Sequence, residues 1–259
     1  MSDTNQVDLA KRALGLVDLT NLNDDCTAAD ITTLCNRAVG EHGSVAAVCV
    51  WPRFVAQSVM ELRGTGVRVA TVVNFPHGGD DLLAVIEETR QALDDGADEI
   101  DLVMPYKAFL AGRKGFAEEM IIRIRAEIPA PKQLKVILET GEIKDPLLIH
   151  QASQIAIGAG ADFIKTSTGK VSVNATLEAA EIMLTVIEET RRDQLKDVGF
   201  KPAGGIRTLE DAAAYLKLAD SILGHNWVSA ATFRFGASGL LDALIGTING
   251  SGAGAGEGY

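Results

Sequence analysis

The sequence predicts an α/β fold and, within that class, a single (β/α)8 TIM barrel. Two observations support this prediction: short apolar segments recur about every 30 residues along the 259 residues of the chain, and stretches with helical periodicity separate most of them. This alternation is typical of right-handed βαβ units and a parallel sheet. Eight repeats in one chain of this length favour a closed barrel. An open, doubly wound sheet remains the alternative.

The predicted strands are short, rich in β-branched residues and ended by Pro, Gly or Asn. In chain order, beginning with the weakest, they cover residues 14–20, 44–52, 67–76, 99–105, 134–141, 162–169, 198–205 and 233–238. The helices between them are predicted from apolar residues at helical spacing. Two helices have a clear start signal, because Thr27 with Asp30 and Thr208 with Asp211 each fit a capping box.

The glycine-rich segment 250–259 is predicted to be a flexible tail behind a catalytic barrel domain of residues 1–249. Its small residues bury too little surface to offset the entropy of ordering the backbone. On composition alone the tail is dispensable. It also has a reach of roughly 15 Å, so Tyr259 could return to the barrel mouth if the last helix ends on the same rim.

Composition argues against several classes of function. The net charge of −11 and the isoelectric point near 4.8 argue against nucleic-acid binding, which needs a basic surface. No apolar run approaches the roughly 20 residues of a membrane span, and no secretory signal is visible. Three cysteines without close pairing indicate a reducing compartment, so a cytoplasmic location is expected. The familiar nucleotide, dinucleotide and zinc motifs are absent, so we expect neither cofactor nor metal.

Polar residues fall at the C-terminal ends of the strands, where barrels carry their functional groups. Each of them could instead be a rim residue that meets water, and Cys49 could be plain core packing. These strand-end residues are Asp18, Cys49, Asn74, Asp101, Glu139, Lys165, Lys201 and Gly236.

Asp101 is the most informative of these residues, because its neighbours in "EIDLVM" are apolar. A buried carboxylate needs a partner, and a lysine from the barrel interior is the obvious one. Lys165 and Lys201 end neighbouring strands, so their ammonium groups disfavour each other's charge and the pKa of at least one should fall. A neutral lysine attacks carbonyl carbon to form a Schiff base, and Lys165 is the candidate.

Glycine-rich turns follow the last three strands: "TSTGK" (166–170), "PAGGIR" (202–207) and "FGASG" (235–239). Glycine lets backbone N–H groups approach an anion, and a helix N-terminus adds partial positive charge. The loops after the seventh and eighth strands are a frequent phosphate site in barrels. With Arg207 close by, a phosphate ester is expected to bind to Gly169, Lys170, Gly204, Gly205, Gly236, Ser238 and Gly239.

Five motifs together resemble those of the deoxyribose-phosphate aldolases, and the resemblance runs from residue 17 to residue 259. In chain order they are "NFPHG", "EIDLVMPY", "DFIKTSTG", "GFKPAGG" and "RFGAS". The resemblance implies a metal-free class I aldolase on a (β/α)8 barrel. Such an enzyme cleaves 2-deoxy-D-ribose 5-phosphate reversibly to D-glyceraldehyde 3-phosphate and acetaldehyde. A homodimer without nucleic-acid or membrane partners is also expected, with a role in deoxyribose phosphate catabolism.

Carried over by motif, the resemblance makes Lys165 the Schiff-base residue and makes Lys201 and Asp101 proton donors and acceptors. Asp18 and Cys49 are further pocket candidates. Longer bacterial members also end in tyrosine, which favours a role for Tyr259 in exchanging the C2 proton. One departure is Gly239, because many members carry a serine there and this chain lacks its hydroxyl near the expected phosphate.

Two other functions stay open at this point. An isomerase that acts on a sugar phosphate by carboxylate acid–base chemistry would explain the glycine turns, although not the pair of lysines. A non-catalytic binding barrel could hold Lys165, Lys201 and Asp101 as a buried ionic network, and such networks often add little stability.

Overall fold

The computed structural model describes residues 3–194 and 197–251 of the chain. Eight parallel strands form one sheet, in which each strand is hydrogen-bonded to its neighbours in chain order. The strands are β1 (Val17–Asn21), β2 (Ala47–Val50), β3 (Arg68–Val73), β4 (Glu99–Val103), β5 (Gln133–Ile137), β6 (Phe163–Lys165), β7 (Gly199–Lys201) and β8 (Phe235–Ala237).

The sheet closes on itself. Strand β1 pairs with β8, and two isolated parallel bridges, Phe200 with Phe233 and Ala203 with Gly236, join the chain at β7 to the chain at β8. The prediction of a closed barrel is therefore confirmed, and the open sheet is excluded.

Helices surround the barrel and cover its outer apolar face. They are α1 (Asp3–Leu14), α2 (Ala28–Ala38), α3 (Val55–Glu61), α4 (Leu82–Asp94), α5 (Tyr106–Leu110), α6 (Lys114–Glu127), α7 (Thr140–Ile143), α8 (Pro146–Gly158), α9 (Leu177–Gln194), α10 (Leu209–Leu223) and α11 (Leu240–Ile248). A short 3-10 turn (Pro52–Phe54) and a two-stranded hairpin (Val39–Gly40 with Gly43–Ser44) complete the described secondary structure. No helix within the described ranges is long and apolar enough to cross a bilayer.

Both predicted capping boxes are confirmed. The Thr27 hydroxyl accepts a hydrogen bond from the Asp30 amide, and the Asp30 carboxylate accepts one from the Thr27 amide at the start of α2. Thr208 and Asp211 make the same reciprocal pair at the start of α10. These bonds satisfy backbone donors that a helix start otherwise leaves unpaired.

Seven of the eight predicted strands extend too far at their C-terminal ends, whereas β1 runs to Asn21, one residue beyond its predicted end. Strand β6 stops at Lys165, four residues before the predicted end at residue 169, because the following residues turn into a loop in which Gly169 has a φ of 87°. Strand β5 stops at Ile137, and Glu139 adopts the left-handed conformation with a φ of 61°. The strand ends that looked extended in sequence are therefore the first residues of the functional loops.

The last helix ends away from the barrel mouth. Helix α11 begins beside the C-terminal end of β8 and runs back along the barrel. At its far end the Asn249 side chain lies 2.7 Å from His42 Nε2, in the segment that leads into the start of β2. We expect Tyr259 to return to the barrel mouth if the last helix ends on the same rim as Lys165. The helix ends at the opposite end of the barrel, so this condition is not met. Tyr259 itself lies outside the described residues.

Candidate active site

The sheet register brings the predicted polar residues together inside the barrel. Lys165 on β6 pairs directly with Lys201 on β7, and Asp101 on β4 pairs with Lys135 on β5. Alternate residues of a barrel strand face the interior, so residues in register point into the same layer. All four residues are buried, with Lys165 only 3% exposed.

Asp101 is the centre of the cluster. Its Oδ2 accepts hydrogen bonds from Lys165 Nζ at 2.8 Å and from Lys201 Nζ at 2.7 Å. Its Oδ1 accepts a third from Lys135 Nζ at 3.0 Å. The structure therefore gives Asp101 the lysine partners that its burial requires, and Lys135 is one that the sequence analysis did not single out.

The cluster continues below Asp101 as a buried ionic network. Asp18 Oδ2 lies 2.6 Å from Lys201 Nζ, and Asp18 Oδ1 accepts from Arg234 Nη1 at 2.7 Å. Arg234 Nη2 also donates to Glu99 Oε1 at 2.9 Å, and Glu99 pairs with Lys135. A charged residue at an inward position of an apolar strand is the signal that identified Asp101. The same signal could have identified Glu99, Lys135 and Arg234.

These contacts fix which groups carry charge. Burial alone would raise the pKa of Asp101, but the positive charges of Lys135, Lys165 and Lys201 outweigh it and hold that pKa well below its usual value. The pKa of Asp18 is lowered in the same way, by Lys201 and Arg234 in particular.

Burial opposes the charge on Lys201 as well, yet Asp101 and Asp18 outweigh it and raise its pKa. The ionised carboxylates thus keep Lys201 a firm cation next to Lys165.

Lys165 differs from the other buried cations because it also faces a pocket. The pocket opens to solvent, and the space free of protein atoms within it, open solvent included, is about 440 Å³. Besides Lys165, it is lined by Thr20, Leu22, Thr168, Gly169, Ala203, Gly204, Gly205, Ile206, Arg207, Gly236, Ala237, Ser238 and Gly239. Six of the seven residues predicted to bind phosphate are in this lining. The seventh, Lys170, is outside it, and its Nζ lies 3.6 Å from Asp24 Oδ1.

Gly204 and Gly236 of the pocket occupy positions where an added side chain would collide with neighbouring atoms. Gly204 has a φ of 82°, and a Cβ there would lie 2.7 Å from the Cβ of Asn174. A Cβ on Gly236 would lie 2.7 Å from the Cβ of Ala203. Gly239 is the N-cap of α11, so the positive end of a helix dipole meets the pocket. This arrangement suits an anion such as a phosphate group.

The two further pocket candidates lie beneath the pocket and do not form its lining. Asp18 is fully buried as a partner of Lys201 and Arg234. Cys49 is fully buried in a small apolar cluster with Leu22, Ala70 and Val72. Burial raises the pKa of the Cys49 thiol. Leu22 and Thr20 in the pocket wall, and Thr168, were missed in the sequence analysis, because apolar and hydroxyl side chains carry no distinctive pattern.

Comparison with known proteins decides which family this site belongs to. The chain matches the DeoC/LacD family aldolases over residues 12–244. It belongs to that family. The resemblance predicted from the motifs is thereby confirmed, and the aldolase class of enzyme with it.

This DeoC/LacD family aldolase matches known relatives over most of its length. A deoxyribose-phosphate aldolase from Agrobacterium fabrum is 57% identical over 242 residues, which cover 93% of this chain and 92% of the relative. A solved structure from Coccidioides immitis, assigned as a deoxyribose-phosphate aldolase, is 30% identical with a TM-score of 0.78, covering 93% of this chain and 86% of that one.

A structure from Toxoplasma gondii with the same assignment shares the fold at a TM-score of 0.86. The two sequences are 24% identical, and the match covers 96% of this chain and 97% of the Toxoplasma gondii chain.

Proposed function

We propose that this aldolase reversibly cleaves 2-deoxy-D-ribose 5-phosphate to D-glyceraldehyde 3-phosphate and acetaldehyde through a Schiff base on Lys165. The observation that carries the proposal is that one pocket holds both the Lys165 amine and the glycine-lined end of α11. A sugar phosphate can reach the amine with its aldehyde and the helix end with its phosphate. The name of the Agrobacterium fabrum relative supports this choice of substrate.

The first step needs a neutral Lys165. Lys201 remains positive between Asp101 and Asp18, and Lys165 and Lys201 both donate to Asp101 Oδ2. The free amine attacks C1 of the sugar phosphate, and water leaves to give a protonated imine.

Carbon–carbon cleavage follows from the imine. A base removes the proton of the C3 hydroxyl, the C2–C3 bond breaks, and its electron pair moves toward the imine nitrogen as glyceraldehyde 3-phosphate leaves. The remaining enamine is protonated at C2, and hydrolysis of the new imine releases acetaldehyde. Asp101 and Lys201 are the groups next to Lys165 Nζ, so we assign them the movement of these protons.

Tyr259 is proposed to exchange the C2 proton of the enamine. From Ser251 the remaining eight residues can extend at most roughly 28 Å, about twice the roughly 14 Å length of α11, so a return to the mouth is within reach. Tyr259→Phe should then lower kcat about tenfold with little change in KM, and should slow deuterium exchange at the acetaldehyde methyl group in parallel. A variant with wild-type rates in both assays would remove Tyr259 from the mechanism.

Reductive trapping tests the central proposal. The protein is incubated with acetaldehyde and borohydride, and the modified residue is located by mass spectrometry of peptides. We expect a reduced two-carbon adduct on Lys165 that is absent from Lys165→Leu. An isomerase or a binding barrel gives no such adduct. An adduct on a different lysine would show that Lys165 is not the nucleophile.

The assembly and setting of the enzyme remain predictions. We propose a homodimer in the cytoplasm that acts in deoxyribose phosphate catabolism without a cofactor. Light scattering coupled to size-exclusion chromatography measures the assembly, and a mass of one chain or of four would contradict the dimer.

A further inference from the structure

Glu139 is a buried carboxylate that the proposed mechanism does not use. It is fully inaccessible to solvent and lies two residues beyond the end of β5, in the left-handed conformation with φ 61° and ψ 58°. Residues other than glycine adopt this conformation at an energetic cost, and they persist in it where surrounding contacts require it. The contacts of Glu139 therefore indicate its purpose.

Both carboxylate oxygens of Glu139 face the loop that follows Lys165. Oε2 accepts a hydrogen bond from the Thr168 hydroxyl at 2.6 Å, and Oε1 accepts one from the Thr168 amide at 3.2 Å. The Thr168 hydroxyl in turn accepts from the Lys170 amide at 3.0 Å. One carboxylate thus fixes a turn of three residues, of which Thr168 and Gly169 line the pocket.

The neighbouring backbone braces the same loop. The Thr140 amide donates to the Thr166 carbonyl at 2.9 Å. A Cβ on Gly141 would lie 1.8 Å from the Val173 carbonyl oxygen, so the two loops are in close contact. Strand β5 therefore does more than pair with β6, because its continuation holds the wall of the pocket beside Lys165.

We infer that Glu139 is a positioning residue that sets the pocket wall at Thr168 and Gly169 for the sugar phosphate. The inference rests on the proposed function, since it assigns that wall to the binding of the proposed substrate. Glu139 acts through Thr168, so its loss should weaken binding of the full sugar phosphate more than it affects chemistry at Lys165.

The first variant is Glu139→Gln, which keeps the shape but places an amide NH2 where one Thr168 donor needs an acceptor. We expect KM for 2-deoxy-D-ribose 5-phosphate to rise about tenfold, because one buried hydrogen bond is lost, while kcat changes by less than about threefold. Glu142→Gln is the matched control, because it makes the same chemical change three residues away in α7, and its KM should equal that of the wild type.

Thr168 variants separate positioning from a direct contact with the substrate. Thr168→Val should raise KM as Glu139→Gln does, and Thr168→Ser, which keeps the hydroxyl, should restore it. The double variant Glu139→Gln/Thr168→Val should be no worse than the more severe single variant, because both remove one interaction. Additive losses, or a Thr168→Ser variant as impaired as Thr168→Val, would overturn the inference. If Glu139→Gln does not fold, Thr168→Val still tests the inference, because a wild-type KM in that variant would overturn it.

Borohydride trapping of acetaldehyde distinguishes a failure of the proposed function from a failure of the role assigned to Glu139. Glu139→Gln should trap acetaldehyde on Lys165 as the wild type does. A wild type that fails to trap overturns the proposed function itself. Intact trapping with a wild-type KM in Glu139→Gln overturns only the role of Glu139.

Discussion

The interior of the barrel and the rim at its C-terminal end hold their functional groups in different ways. In the interior, long charged side chains are fixed by one another, as Asp101 is by three lysines. At the rim, the groups in position are backbone amides, and they are fixed by conformations such as the left-handed φ at Gly169 and Gly204. The interior suits the handling of protons and carbonyl carbon, and the rim suits an anion.

The two regions should therefore fail in opposite ways when they are mutated. Each buried ion costs several kcal/mol of desolvation, which its partners must offset, so the interior is sensitive to the removal of a side chain. The rim is sensitive to the addition of one, because a Cβ meets neighbouring atoms at short distance. The following predictions use this contrast, from the largest expected effect to the smallest.

Lys165→Leu should lower turnover of the sugar phosphate by at least about 10³-fold, because no other amine replaces the nucleophile. The fold should persist, since Lys135 and Lys201 still neutralise Asp101. Steady-state kinetics and thermal melting measure the two effects, with the exposed Lys217→Leu as control. Residual turnover near the wild-type rate would show that another group forms the Schiff base.

Lys201→Leu should lower the rate at neutral pH by roughly 10²-fold, because it removes a group assigned to proton transfer. The same change takes away the cation that pairs with both Asp18 and Asp101. The measurement is kcat/KM for the sugar phosphate at pH 7. A value within about threefold of the wild type would show that Lys201 takes no part in the proton transfers.

Gly204→Val should raise KM for the sugar phosphate by about tenfold or more, because the new side chain meets Asn174 and the residue keeps a φ of 82°. Arg207→Ala should raise KM by less than about threefold, because its side chain is exposed. Self-condensation of acetaldehyde, which involves no phosphate, should be spared in both variants.

Gly224→Val controls for backbone strain, because Gly224 has a similar φ of 88° at the end of α10 and no neighbour within 4 Å of a built Cβ. Equal loss of both reactions in Gly204→Val would indicate misfolding rather than a damaged phosphate site.

The buried ionic network should also make the free energy of unfolding depend on pH in the acidic range. The pKa values of Asp18 and Asp101 are depressed in the folded protein, whereas an unfolded aspartate titrates near 3.9. Their contribution to stability is therefore fully present above about pH 4 and is lost as pH falls through the folded values. In carbon-13 spectra of labelled aspartate, the carboxyl signals of these two residues should keep the chemical shifts of ionised carboxylates at pH 3. Titration near pH 4 would contradict the ionic network.

The sequence predicted those parts of the site that rest on a local pattern. Lys165, Lys201 and Asp101 were recognisable because each is charged within an apolar strand, and the glycines because they follow strands. The pairing of Arg234, the residue before β8, with Glu99 of β4 crosses the barrel, and such a contact follows only from the curvature and register of the closed sheet. The left-handed backbone at Glu139 was also missed, because a glutamate there carries no turn signal, and the strand was extended through it.

The place where the barrel closes has a consequence for how the molecule opens. Strands β4 and β5 share five register pairs, whereas the chains at β7 and β8 are joined by two isolated bridges. Four backbone hydrogen bonds cross this seam, donated by the amides of Phe200, Gly204, Arg234 and Gly236. Local unfolding begins where backbone pairing is less regular, so this seam should separate at a lower free energy than the pairing of β4 with β5.

Gly204 and Gly236 stand on opposite sides of that seam, and the Gly204 amide donates to the Gly236 carbonyl across it. An anion bound by both loops would therefore connect the two sides of the seam and stabilise their pairing. Its binding would slow hydrogen exchange at the seam and leave exchange in β4 unchanged.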